Sequence, residues 1–118
     1  MIKLAPIRPD NFVGKTLDLI QPVKIGRQVS AGDPPLPHNG IFNSPVLSRN
    51  HALIFFENGK VYIKDTRSSN GTYLNGNRLS AESTESAIHE LHSGDILEFG
   101  VDFADEETPK GRYEHFEI

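Results

Sequence analysis

Three stretches of this chain carry side chains able to hold an anion. They are Gly26-Arg27, then Ser48-Arg49-Asn50-His51, then Ser68-Ser69-Asn70-Gly71-Thr72. A guanidinium presents paired N–H donors that fit a phosphate. A serine hydroxyl bonds a charged oxygen more strongly than a neutral one. An Asn-Gly pair takes tight turns and offers its backbone groups to whatever lies beside it. Ser48, His51 and Asp65 also have the residue types of a hydrolytic triad. No nucleophile-elbow pattern accompanies them and nothing marks an oxyanion hole, so His51 is read as a brace that hydrogen-bonds backbone. His89 and His92 could share a helical face as metal ligands. Without cysteine or another clustered ligand they are read as surface histidines, and no metal or cofactor is expected.

The element that must position these groups is a β-hairpin. Residues 52–56 and 61–63 are apolar runs separated by Asn58-Gly59, which suits the two positive-φ positions of a type I′ turn. Closing the hairpin there brings its outer ends together, and with them the Ser48 and Ser68 clusters. Hydroxyls, arginine and an Asn-Gly turn gathered at a strand end suggest an anion site built from loops.

Around the hairpin, residues 2–7 read as an edge strand at best, because Pro6 breaks the run. Residues 11–14 read as a turn, 16–20 as an alternating strand and 23–25 as a strand ended by Gly26-Arg27. Residues 28–40 hold Gly32, Pro34, Pro35, Pro37 and Asn39-Gly40 and are predicted to form an exposed loop. That loop follows Arg27, so it could help select ligands or obstruct them. A very short strand at 41–42 leads toward the hairpin. Thr72 to Leu74 is followed by a second tight turn, Asn75-Gly76. Residues 80–90 alone have helical composition and are predicted to form one short helical turn. Residues 96–99 are a strand, 102–111 an acidic loop and 113–118 an alternating, closing strand. Many short strands with Gly, Asn and Pro turns argue an all-β sandwich.

A chain of 118 residues is the size of a single domain, 1–118. It has no cysteine, which excludes disulfides and thiolate metal sites. No apolar run approaches the roughly 20 residues that span a membrane, and no signal-peptide pattern opens the chain. A net charge of -4 argues against a general affinity for nucleic acid. An anionic ligand must then be held by local positive charge.

Taken in order, Gly26-Arg27, Ser48-Arg49-x-His51, Ser68-x-Asn70-Gly71-Thr72 and Asn75-Gly76 resemble the motif set of the forkhead-associated (FHA) domain. The resemblance covers most of the chain, including the Gly94-Asp95 turn before a late apolar run. The longer wording of 22–27 and 43–52 is similar to one branch of that family, sarcolemmal membrane-associated protein and its fungal relatives. These are scaffold subunits of the striatin-interacting phosphatase and kinase complex.

The resemblance implies a two-sheet β-sandwich with its termini close together and its recognition loops at the opposite end. It implies a phosphothreonine-peptide binding module without catalysis. Ser48 would donate to a phosphate oxygen. Arg27 would touch the phosphate or the adjoining peptide backbone. Ser69 would contact the phosphate and Asn70 the ligand's main chain. Arg49 is either a second positive group or a rim residue. Gly26, His51, Gly71 and Thr72 would support the loops. A small pocket beside Asn70 would receive the threonine methyl. The implied partner is a phosphothreonine-containing protein, such as a phosphorylated kinase or scaffold, met in the cytoplasm by a domain that touches no membrane itself. The full-length protein would be membrane-associated. The alternatives are an interaction or dimerisation domain of the same fold that binds an unmodified partner, and a small hydrolase.

Overall fold

The structure is a computed structural model that describes residues 1–6, 14–100 and the backbone of 111–117. The strands are β1 (Ile2–Pro6), β2 (Lys15–Leu17), β3 (Val23–Arg27), β4 (Ile41–Phe42), β5 (Ala52–Glu57), β6 (Lys60–Asp65), β7 (Thr72–Leu74), β8 (Asn77–Arg78), β9 (His89–Leu91), β10 (Ile96–Phe99) and β11 (Gly111–Glu117). They form two sheets, of order β2-β1-β11-β10-β7-β8 and β4-β3-β5-β6-β9. The all-β sandwich expected from the sequence is the observed architecture.

The central hairpin forms because pattern and turn agree. Asn58 (φ 51°) and Gly59 (φ 78°) take the positive-φ turn, and the register runs from Glu57 opposite Lys60 to Ala52 opposite Asp65. Alternation turns Ala52, Ile54, Val61 and Ile63 inward. Phe55 and Tyr62 stack across the strands on the other face, with ring centroids 5.6 Å apart. Ile2, Leu4, Leu17, Leu97 and Phe99 close the core from the first sheet. Each fully buried Leu, Ile or Phe contributes roughly 1.5–3 kcal/mol by transfer from water.

The observed strands depart from the expected ones at several points: β3 runs on through Arg27, a short β8 follows the Asn75-Gly76 turn, and β11 begins at Gly111, and three further differences have a clear physical reason. The first strand is not an edge: β1 lies between β2 and β11, with Ile2 opposite both Leu17 and Glu117. Pro6 is harmless there because it stands at the last position of the strand. The second strand is Lys15–Leu17, shorter than 16–20, since the Asp18 carboxylate accepts the Ile20 N–H in a turn. The expected helical turn within 80–90 is absent. Ser83 has φ 57°, which no α-helix admits, and Ser83 and Ser86 donate their N–H groups to Ser68 and Asp65 carbonyls. The segment then pairs with β6 as β9. Few apolar residues in that stretch left no helical face to bury, so tertiary hydrogen bonds decided its path. The expected turn at 11–14 and loop at 102–111 lie, except for their last residues, outside the described residues.

Residues 28–40 form a loop held by a buried cation. Lys15 is 1% exposed; its ammonium donates to the Leu36 carbonyl at 2.6 Å and the Ile41 carbonyl at 2.8 Å, and lies 4.7 Å from the Phe42 ring centre. Burial brings its pKa down to about 8. Asn39 ties the same loop, accepting the N–H groups of Leu36 and Ile41 on its Oδ1. The loop therefore leaves β3 and returns as β4, which runs parallel beside it.

Candidate functional site

Four strand ends meet at one end of the sandwich. β3 finishes with Arg27, β5 begins after His51, β6 finishes before Ser68 and β7 begins after Gly71. The loop 43–51 is anchored by Val46 and Leu47, both buried. It lies so close to β3 that a Cβ on Gly26 would stand 1.9 Å from the Arg49 carbonyl oxygen. Only glycine fits there, and the Arg27 N–H donates to the Ser48 carbonyl at 3.0 Å.

His51 joins the two recognition loops from inside. It is fully buried, and its Nδ1 accepts the Ser48 N–H at 3.0 Å. That bond puts the ring proton on Nε2, which donates to the Gly71 carbonyl at 2.7 Å. The Phe99 ring packs edge-on against the imidazole at 5.7 Å. Burial lowers the His51 pKa, and the Arg78 charge lowers it further, against the Gly71 bond and the Asp65 charge, which raise it. The ring is neutral in the fold.

The second loop is shaped by Asp65 and Ser68, whose importance the sequence reading missed. Asp65 is 1% exposed; it accepts the Ser68 N–H at 2.8 Å, the Ser68 hydroxyl, and the Thr72 hydroxyl at 2.8 Å. The Ser68 Oγ in turn accepts the Gly71 N–H at 3.1 Å. The signal was available, because the alternation that buries Val61 and Ile63 points Asp65 the same way. Gly71 itself has φ 96°, a conformation that disfavours any side chain. Arg78 also went unnoticed: its Nε donates to the Ser80 carbonyl at 2.7 Å and its Nη2 to the Ser69 carbonyl at 3.3 Å.

Between the loops, the Ser69 N–H donates to the Ser48 Oγ at 3.1 Å, and the Asn70 Nδ2 donates to the Val46 carbonyl at 3.0 Å. The fold thus brings Ser48, Ser69 and Asn70 together. The Ser48 oxygen is used as an acceptor, which leaves its O–H proton for a further acceptor. Arg27 is half-buried and Arg49 exposed. Both line a separate cleft of about 180 Å³ on the β3–β4 side of Ser48, a cleft that Ser69 and Asn70 do not line. His89 lies on β9, and the exposed His92 contacts Glu90 through Nε2 at 2.5 Å. Among the described residues no cluster of three His, Cys, Asp or Glu could hold a metal, and no helix is long and apolar enough to cross a membrane.

Comparison with known proteins agrees with this architecture. The FHA domain family model matches residues 23–100. Human sarcolemmal membrane-associated protein is 50% identical over 99 residues, covering 80% of this chain and 12% of that protein. An uncharacterized protein of Schizosaccharomyces pombe is 45% identical over 112 residues, covering 91% of this chain and 36% of its own. The chain thus spans a small part of the length of these relatives. Among solved structures, the N-terminal FHA domain of Saccharomyces cerevisiae Rad53p, in complex with a phosphothreonine peptide, superposes with a TM-score of 0.71 at 18% identity, covering 99% of this chain and 93% of that one. This chain belongs to the FHA family, whose domains are phosphopeptide-binding interaction modules.

Proposed function

We propose that this chain is a phosphothreonine-dependent peptide-binding module, a single domain over 1–118, that serves as an interaction domain in kinase–phosphatase signalling. The observation that carries the reading is the Ser48–Ser69 pair. A hydroxyl that already accepts a backbone N–H at 3.1 Å keeps its proton for an oxyanion seated above both groups. Ser48 and Ser69 bind the phosphate, and Arg27 and Arg49 supply positive charge beside it. Asn70, held to the Val46 carbonyl, bonds the ligand's main chain and borders the space for the threonine methyl. Gly26, His51, Gly71 and Thr72 hold the loops. The site needs no cofactor and performs no reaction. The complex with a phosphothreonine peptide formed by the Rad53p domain supports the ligand class. The name of the human relative, of which this chain covers 12%, supports a longer, membrane-associated protein. The reading places this domain in the cytoplasm, with a phosphorylated kinase or scaffold as its partner.

One peptide chosen from a phosphothreonine library, prepared with phosphothreonine, phosphoserine and plain threonine, tests the proposal by titration calorimetry. Phosphothreonine should bind best. Phosphoserine should bind several-fold more weakly, since burying one methyl is worth about 0.8 kcal/mol. Plain threonine should scarcely bind. Equal binding of plain threonine would replace this reading with recognition of an unmodified partner.

A further inference from the structure

Lys15 is a buried cation that the phosphate reading leaves unused. β2, which carries it, is an edge strand of one sheet, and β4, which accepts one of its bonds, is an edge strand of the other. The ammonium therefore ties the two sheets together at their rims. Its three N–H groups meet three oxygens: the Leu36 and Ile41 carbonyls at 2.6 and 2.8 Å and the Asn39 Oδ1 at 3.4 Å. Among the described residues no carboxylate pairs with it. A charge buried without a counter-ion disfavours folding, which points to a role in geometry.

Two routes lead from this cage to the recognition end. Beside β4, the Gly26 N–H donates to the Gly40 carbonyl and the Gln28 N–H to the Phe42 carbonyl, both at 2.9 Å. Those bonds bracket Arg27, which stands opposite Phe42. The Phe42 ring, against which the ammonium lies, meets Phe99 with centroids 6.1 Å apart, and Phe99 meets His51 at 5.7 Å.

We infer that Lys15 is a positioning residue of the recognition site: by holding Ile41 and Phe42 it sets the strand end that carries Arg27, without touching the ligand. The inference rests on the phosphothreonine reading above and adds to it a residue outside the motif set. β4 has only two residues, so its pairing with β3 does little to fix its own register. Without the cation, three partial negative charges face one another. The loop then spreads and takes Phe42 and the Arg27 backbone with it.

The test is chemical rescue. Titration calorimetry measures the affinity of a phosphothreonine peptide for the parent protein and for Lys15→Ala. The variant should bind roughly fivefold more weakly, the scale of coupling through a packed network. n-Propylammonium supplies the atoms that the substitution removes, and it should restore most of the loss. n-Propanol has similar length and no charge, and it should not. Unchanged affinity in Lys15→Ala would overturn the inference. So would equal rescue by both compounds, or rescue by neither.

Should the variant not fold, the pH profile of the intact protein decides. Burial brings the Lys15 pKa to about 8, and the neutral amine has one N–H too few for three oxygens. The charged residues on the elements around it are Lys3, Lys24, Arg27, Asp33 and His38; all are exposed or half-buried and none forms an ion pair with it. The Met1 amino group titrates in the same range but lines a cleft with Phe56 at the hairpin turn, away from the loops. The ligand phosphate remains a dianion throughout. Affinity should fall severalfold between about pH 7 and about pH 9.5, and a flat profile would overturn the inference. Each overturning result includes firm binding by the parent protein and leaves the phosphothreonine reading intact. Failure of the parent protein to bind any phosphopeptide would remove both.

Discussion

The Nε2–H of His51 donates to the carbonyl of Gly71 at 2.7 Å, across 20 residues of chain and beneath the loops, where the ring is fully buried. With Nδ1 accepting the Ser48 N–H at 3.0 Å, one ring fixes the spacing of both recognition loops. The ring is therefore a determinant of loop geometry without facing the ligand.

Replacing His51 with alanine leaves the part-buried Ser48 N–H without its acceptor, takes one of two hydrogen bonds from the Gly71 carbonyl, which still accepts the Gly100 N–H at 2.9 Å, and empties the space of a fully buried ring. One unsatisfied group costs about 1–3 kcal/mol, and the lost Gly71 bond and the vacated ring volume add to it, so the fold should lose about 3 kcal/mol. For a domain of this size the melting temperature should fall by roughly 10 °C. Thermal denaturation followed by circular dichroism measures it. An unchanged melt would mean that the loops hold their spacing without the imidazole.

The same ring sets a pH dependence. Its pKa in the fold lies below the ordinary 6.5, chiefly because burial disfavours the cation. The unfolded chain binds the proton more readily, so stability from this group is complete above about pH 6.5. It is lost progressively as pH falls from there toward the folded value. Protonation would also take away the Nδ1 lone pair that accepts the Ser48 N–H. Urea denaturation across that range should show stability declining toward acid, with a shallower decline in His51→Ala. Parallel curves for the two proteins would assign the dependence to other groups.

Asp65→Ala should be at least as damaging as His51→Ala. It leaves the Ser68 N–H and the Ser68 and Thr72 hydroxyls without their common acceptor. We expect a loss of about 3 kcal/mol or more. Fast amide hydrogen exchange should appear at Ser68 and Gly71, whose N–H groups depend on this network. If protection at those amides is retained, another contact shapes the loop.

Arg27→Ala and Ser48→Ala should instead separate binding from folding. Neither side chain is in the core, and removing one charge-assisted contact costs roughly 1.5–3 kcal/mol of binding, about tenfold or more in affinity. Melts should stay close to the parent protein. Unaltered phosphopeptide affinity in both variants would take these residues out of the site.

The hairpin and the meeting of its two polar clusters were legible in the sequence because both depend on local physics. Asn58-Gly59 sets the turn, and the period-2 pattern of 52–56 and 61–63 sets the register. Once those are fixed, Ser48 and Ser68 must arrive at the same end. Composition likewise ruled out disulfides and pointed to many short strands. What tertiary structure alone decided is of a different kind. Residues 80–90 carry little intrinsic preference, and they form a turn that leads into β9 because Asp65, Ser68 and β6 offered hydrogen-bond partners from elsewhere in the chain. β1 became an interior strand because β2 and β11 both found its edges. Lys15 reads in sequence as a surface cation. It is buried because three carbonyl groups of a distant loop, the Leu36 and Ile41 backbones and the Asn39 side chain, converge on its ammonium. The cleft of Lys24, Arg27 and Arg49 depends on a glycine at 26 pressed against a backbone more than twenty residues away. Local propensity and periodicity reach only a few residues along the chain, while these features arise from long-range hydrogen bonds and steric fit that exist only once the two sheets have closed.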